Sequence, residues 1–208
     1  MIVTPSYFQY PPVFIPGASD SVPEIGTGDP TELDKLQLYI DKYEGELLIN
    51  ALGRVQYDEL VSEIDNGEVK PTADQKWIDL VNGKDDWQGL IVKFGQVKTS
   101  LIAEYIYYHY LRDTETFYAT TGLLRPDAAN SITISANVDL VTKWNDFVSV
   151  YEGDSICNFY HPNLDYESYP LYGHKSNFTS LRSFLMSNSD VFDTSFFNNY
   201  GFKNRHGL

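Results

Sequence analysis

The sequence contains one cysteine and no long apolar run, and each scarcity excludes a class of protein. With Cys157 the only cysteine among 208 residues, no disulfide can form within the chain, which favours folding inside a cell over secretion. No apolar stretch approaches the roughly 18 residues needed to cross a bilayer, so we expect no membrane span. The first residues lack the basic and apolar regions of a signal peptide, and we expect none.

Basic residues are also scarce, and their distribution is uneven. The chain has 15 Lys and Arg against 29 Asp and Glu, a net charge of −14. Nearly all of this excess lies in residues 1–153, whereas residues 154–208 are close to neutral. An acidic body repels phosphate, which argues against ordinary nucleic-acid binding and would suit a surface that DNA passes without adhering. The alternative is that the charge serves solubility alone.

Aromatic residues, in contrast, are abundant at both ends of the chain. Residues 1–28 mix Pro and Gly with aromatic side chains, and we expect an extended N-terminal arm that docks on another surface. Residues 154–208 form an aromatic-rich C-terminal arm with a short helix predicted around 180–186. The side chains predicted to anchor in a partner are Tyr7, Phe8, Phe14, Phe192, Phe196, Phe197, Tyr200 and Phe202. Two alternatives remain: arms folded back on their own body, or aromatic side chains that stack on sugars.

Residues 29–153 carry short amphipathic patterns separated by glycines, which predict a helical body. Asp29, Pro30 and Glu32 predict the start of a first helix that ends at Gly53, with Gly45 a candidate break. The further predicted elements are a helix from Tyr57 to Ile64 that stops near Gly67, a helix with a Thr72–Gln75 capping box that ends at Gly83, a central helix from Gly95 to Arg112, a loop or hairpin over 114–136 with a strand-like Ile132–Ile134, and a helix from Asn137 to Gly153.

No residue pattern points clearly to catalysis or metal binding. Cys157 and His161 have a spacing that a metal could use, but Pro162 disfavours a helix there and no second ligand pair completes the site. Glu104 and His109 on the predicted central helix are better explained as partners of buried tyrosine hydroxyls. We therefore expect no metal, no cofactor and no enzymatic activity.

The order of these elements resembles one known family. The residues that carry the resemblance are 36–44, 47–48, 51–53, 57–60, 76–80 with Gly83, 103–108, the Thr/Gly loop 120–122, and 143–145. In this order they are similar to the head–tail connector (adaptor) proteins of tailed bacteriophages. The resemblance covers somewhat more than half of the chain, and the long aromatic C-terminal arm departs from the smaller connectors.

The resemblance implies a structural virion protein of the neck, assembled in the host cytoplasm. Such a subunit forms a homo-oligomeric ring, usually dodecameric, which joins the portal protein to a stopper or tail protein. DNA would pass through its channel without specific binding. The sequence thus predicts a mainly α fold of about five helices, with a short β-hairpin or loop insertion, and three parts: arm 1–28, body 29–153 and arm 154–208. The alternative function is a non-enzymatic module that binds a glycan or a protein on a particle surface.

Overall fold

Helices dominate the part of the chain that the computed structural model describes, and the predicted mainly α class is confirmed. The described residues are 1–19, 31–94, 97–114, 117–119, 122–124, 136–153 and 179–201. The helices are a 3₁₀ helix Pro5–Gln9, α1 Glu32–Ser62, α2 Gln75–Asn82, α3 Leu101–Thr114, α4 Ala136–Tyr151 and α5 Leu181–Ser187. Three antiparallel pairs accompany them: β1 Ile64–Asp65 with β2 Glu68–Val69, β3 Ile91–Phe94 with β4 Val97–Ser100, and β5 Phe117–Ala119 with β6 Gly122–Leu124.

Helix α1 is longer than the sequence predicts. It starts from a capping box in which the Thr31 hydroxyl accepts from the Asp34 amide at 3.1 Å and the Asp34 carboxylate accepts from the Thr31 amide at 3.1 Å. The predicted cap, Asp29, lies outside the described residues. The helix continues through Gly45, and Gly53 kinks it instead of ending it. The separate helix predicted from Tyr57 is therefore the second half of α1.

The kink at Gly53 needs a glycine for two reasons. Its backbone has φ 75° and ψ 163°, a conformation that other residues rarely adopt. A Cβ there would also lie 2.6 Å from Cδ2 of Phe196, which packs directly on the glycine. The kink thus gives the C-terminal segment a place to lie against α1.

The predicted helix start at Gly95 is wrong. Residues 97–100 form strand β4, in which Val97 pairs with Phe94 and Ser100 with Ile91. β-Branched residues in both strands, Ile91 and Val92 in β3 and Val97 and Thr99 in β4, favour this hairpin, and the helix starts only at Leu101. Helix α3 then packs against both α1 and α4, so it is central, as predicted.

The remaining helices lie close to their predicted positions. Helix α2 ends at Gly83, whose φ is 94°. Its N-cap is Asp74, so the predicted Thr72–Gln75 capping box does not form. Helix α4 ends before Gly153, and α5 is capped by the Ser180 hydroxyl, which accepts from the Ser183 amide at 3.2 Å. The β5–β6 hairpin falls within the predicted loop, whereas Ile132–Ile134 lies outside the described residues.

One hydrophobic core joins both chain ends to the helical body. The buried apolar side chains from the N-terminal segment are Ile2, Val3, Tyr7, Phe8, Val13, Ile15 and Ala18, and those from the C-terminal segment are Leu181, Phe184, Leu185 and Phe192. Residues 1–19 and 179–201 therefore pack as parts of the body, and the predicted arms, where described, have no separate packing. No helix in the described residues has the length and apolarity that a membrane span requires.

Candidate interface and the clamped terminal segments

A buried carboxylate on α1 holds the N-terminal segment. Glu44 is 2% exposed, and its two carboxylate oxygens accept from the backbone amides of Ile2 and Val3, each at 2.8 Å. Burial raises the pKa of Glu44, while the two amides and the amino terminus act to lower it. Because the clamp binds backbone atoms, it fixes the position of the segment, and the apolar side chains around it supply the packing.

Amide side chains on α1 hold the last part of the C-terminal segment, from Asp193 onwards. Gln56 donates to the carbonyl of Asp193 at 2.9 Å and accepts from the amide of Asp193 at 3.2 Å. Further along, the amide of Asn198 donates to the carbonyl of Asn50 at 2.9 Å, and the Asn50 side chain donates to the hydroxyl of Tyr200 at 2.8 Å. The segment therefore runs along α1 past the Gly53 kink.

Helix α4 and Glu152, the residue that follows it, hold the end of the same segment. The Glu152 carboxylate accepts from the backbone amides of Tyr200 and Gly201, the latter at 2.9 Å. The indole of Trp144 donates to the carbonyl of Gly201 at 3.0 Å. Residues 193–201, which we call the C-terminal strap, are thus fixed by side chains at both ends.

An aromatic cluster lies beneath this strap. Tyr105 of α3 is its centre, with ring centroids 5.0 Å from Phe147 and 5.6 Å from Tyr200. Its hydroxyl donates to Glu46 at 2.8 Å, and burial raises its pKa, so the hydroxyl stays neutral and serves as a donor. The cluster makes the strap part of the core.

The two titratable residues predicted on α3 have different surroundings. His109 is buried and stacks on Tyr43, with ring centroids 4.0 Å apart and planes 11° apart. Glu104 has a buried Oε2 with no hydrogen-bond partner among the described residues. Burial, and secondarily Asp146, raises the pKa of Glu104 to about 8. The predicted bonds of Glu104 to tyrosine hydroxyls are not seen there.

The predicted anchor residues fall into three groups. Tyr7, Phe8 and Phe192 are fully buried in the chain's own core, so the prediction that they insert into a partner is corrected: their surface is already occupied. Phe197 and Tyr200 are half-buried, and both rings pack against Tyr151.

Phe14 and Phe196 are the predicted anchors that remain available. They are 48% and 58% exposed, respectively. Phe202 lies outside the described residues. Where the arms are described, the folded-back alternative accounts for most of their apolar side chains.

Exposed apolar side chains also occur where the sequence analysis missed them. Leu38 is 68% exposed and Val55 is 71% exposed, both on α1. Val55 stands between Arg54 and Gln56, and this polar setting was the available signal. Leu38 lies within the mostly apolar run 36–40, where no sequence signal marks it as exposed. Acidic side chains share this helix and are exposed, among them Asp34, Asp41, Glu46, Asp58 and Glu59. We call Phe14, Leu38, Val55 and Phe196 the exposed apolar set.

The described residues bring no group of three or more His, Cys, Asp or Glu side chains together in a way that could hold a metal. Cys157 and His161 lie outside those residues, and the metal question at that pair stays a prediction. No family model matches the chain, and no curated protein or solved structure is significantly similar to it.

Proposed function

We propose that the chain is a structural subunit of a tailed-phage head–tail connector, which assembles into a ring between the portal and a stopper or tail protein. The observation that supports this most is the exposed apolar set on an acidic helical body. Contiguous apolar patches on a surface mark sites where another protein packs, and the proposal places these four side chains in contacts between subunits. The proposal also rests on the resemblance in the order of elements.

A ring requires heterologous contacts, in which one surface of a subunit meets a different surface of the next. The exposed apolar set supplies side chains from separate elements: Phe14 from the N-terminal segment, Leu38 and Val55 from α1, and Phe196 from the strap. Because the terminal segments are clamped to the body through backbone hydrogen bonds, the backbone at these positions is already in place before a partner binds. A backbone that is ordered beforehand loses less entropy when a partner binds.

The negative charge supports a ring through which DNA passes. Helix α1 carries exposed carboxylates along its length, and the chain has a net charge of −14. In a ring, such charge facing the channel would keep phosphates from binding the wall. DNA would then move through without specific contacts.

The first test measures the oligomeric state of the full chain by native mass spectrometry over a concentration series. We expect discrete closed oligomers for the native chain, and a strong loss of them for Phe196→Asp because a charge would have to be buried at the contact. Asn199→Asp is the matched control, since it adds the same charge at an exposed polar position of the strap. Circular dichroism checks that both variants fold.

Two results would contradict the proposal. One is a chain that stays monomeric across the series and also forms no contacts between copies in particles from its native source. The other is equal assembly of Phe196→Asp and native chain, which would contradict the claim that the strap takes part in the contact between subunits. Saturable binding of a glycan by a monomer would favour the alternative binding module.

A further inference from the structure

Two lysines lie opposite each other on the β3–β4 hairpin and share one carboxylate. Lys93 and Lys98 are direct partners in the strand register. Their Nζ atoms lie 2.9 Å and 3.5 Å, respectively, from the same Oε1 of Glu68 on strand β2. Like charges directly opposite each other destabilise an antiparallel pair, and one carboxylate neutralises only one of the two lysines. We call Lys93 and Lys98 the lysine pair, and it leaves an excess positive charge on an acidic chain.

The base of this hairpin is fixed in the core. Ile91, Thr99 and Ser100 are buried, and strand β4 packs on the 3₁₀ helix. Directly opposite residues of a hairpin point to the same face, so both lysine side chains lie on one face, where they are partly exposed. The lysine pair therefore stands on a support that needs no further ordering when a partner binds.

One face of the first half of α1 has the opposite charge. Asp34, Leu38 and Asp41 are spaced by four and three residues, which places them on one side of the helix. All three are exposed, and Leu38 is the most exposed apolar side chain of this half. The two aspartates form no ion pair within the described part of the chain; they accept hydrogen bonds from Thr31 and Gln37. We call Asp34, Leu38 and Asp41 the acidic face.

The second half of α1 offers a poorer match to a cation. The carboxylates beside its exposed Val55 already have partners: Asp58 binds Arg54 at 3.1 Å, and Glu59 binds Lys76 at 3.2 Å. A cation from outside would have to displace these partners. The acidic face, whose carboxylates have none of these ion pairs, is therefore the better site for a basic group.

Contacts between copies of this chain need such a match of charges. Each copy has a net charge of −14, so two copies repel each other unless cations of one lie opposite carboxylates of the next. The lysine pair and the acidic face lie on different elements, as the two halves of a heterologous contact require. Asp34 and Asp41 are about 10 Å apart along the helix axis, and the opposite lysines have Cβ atoms about 5 Å apart with long side chains that can span the difference.

Two details indicate which residues meet. Lys98 lies farther from Glu68 than Lys93 does, so its ammonium group is the more available of the two. Asp34 accepts from both the amide and the hydroxyl of Thr31, so Asp41 is the more available carboxylate.

We propose that the lysine pair of one copy binds the acidic face of the next, with Lys98 on Asp41 as the principal contact. The apolar stems of the two lysines cover Leu38 while the ammonium groups reach the carboxylates. This inference rests on the proposed ring and names one contact between neighbouring subunits. Two lysines could also bind a nucleic-acid phosphate, but the net negative charge of the chain disfavours that partner.

Two single charge reversals in the full chain test the contact by complementation. Lys98→Glu gains an opposite charge across the hairpin in Lys93, and Asp41→Lys loses only the bond from Gln37, so both variants should fold, as circular dichroism would show. Each variant alone should raise the concentration for half-assembly in native mass spectrometry about fivefold, the effect of losing one exposed charge contact. Arg182→Glu makes the same change of charge as Lys98→Glu at an exposed position of α5 and should leave assembly unchanged.

An equimolar mixture of Lys98→Glu and Asp41→Lys should assemble as the native chain does, because alternating copies then present opposite charges at every contact. Carbodiimide coupling of labelled with unlabelled native copies gives a second readout. We expect a Lys98–Asp41 link that joins a labelled to an unlabelled chain, together with lysine links to Glu68 within one chain.

Three results would overturn the proposal: a mixture that assembles no better than its two components, links confined to one chain, or binding of duplex DNA by the native chain that Lys98→Glu abolishes. The ring and this contact can also fail separately. If closed oligomers form and both single variants assemble like the native chain, the contact fails and the ring stands. If the Lys98–Asp41 link joins copies but only dimers or open chains appear, the ring fails and the contact stands.

Discussion

Removing the Glu44 carboxylate should release the N-terminal segment and destabilise the fold. Glu44 accepts two backbone hydrogen bonds at 2.8 Å in a site where it is 2% exposed. In Glu44→Ala the amides of Ile2 and Val3 lose their acceptor, and each unsatisfied buried amide costs about 1–3 kcal/mol. The carboxylate itself is costly to bury, which offsets part of the loss. We therefore expect a decrease of about 2–4 kcal/mol in the free energy of unfolding.

Urea denaturation followed by circular dichroism measures this change, with Asp41→Ala as the control. Asp41 is exposed on the same helix, one turn earlier, and accepts one bond from Gln37. Its replacement should change the free energy by less than about 0.5 kcal/mol. Glu44→Gln keeps one acceptor oxygen and should fall between the two variants.

A second readout follows the segment itself. Tyr7 and Phe8 are buried in the native chain, so chymotrypsin should cut there faster in Glu44→Ala than in Asp41→Ala. Equal unfolding free energies for the two variants, together with equal cutting rates, would refute the reasoning that Glu44 holds the segment.

Three other changes test the core and the strap. Because burial raises the pKa of Glu104 to about 8, the folded chain keeps a proton that the unfolded chain releases near pH 4.5. The free energy of unfolding should therefore fall as the pH rises through this window, and Glu104→Gln should flatten that fall in urea titrations at several pH values. Gly53→Ala should cost about 1–3 kcal/mol from backbone strain and the Phe196 contact, and less in a Phe196→Ala background, as a double-mutant cycle would show. Phe192→Ala should cost about 3–5 kcal/mol in thermal or urea unfolding, whereas Phe196→Ala, at an exposed ring, should cost under about 1 kcal/mol; equal costs would mean that the burial of the two rings is misjudged.

Local patterns predicted most of the helices because those helices depend on local signals. Helix α4 carries an apolar stripe and is followed by Gly153, and helix α5 carries an apolar stripe and is capped by Ser180. Both lie near their predicted positions. The β3–β4 hairpin was missed because Val97, four residues before Leu101, also fits the apolar face of a helix. Pairing across the two strands, of Val97 with Phe94 and of Thr99 with Val92, decides between the two structures.

The positions of the two chain ends could not be predicted because long-range contacts set them. The bonds from Glu44 to Ile2 and from Gln56 to Asp193 join residues 42 and 137 positions apart. An aromatic-rich arm could pack on a neighbouring subunit or on its own body, and composition alone does not distinguish the two. Deletion of residues 154–208 would therefore remove Leu181, Phe184 and Phe192 from the core and would not test assembly alone.

Cross-linking mass spectrometry on particles from the native source tests the central claim most directly. Lysines on the described surface, such as Lys35 and Lys84, report which chains lie beside this one. The connector proposal predicts links to a portal-like protein, and links between copies across distances that one folded chain cannot span. Links confined to a single copy, with none to other virion proteins, would contradict it.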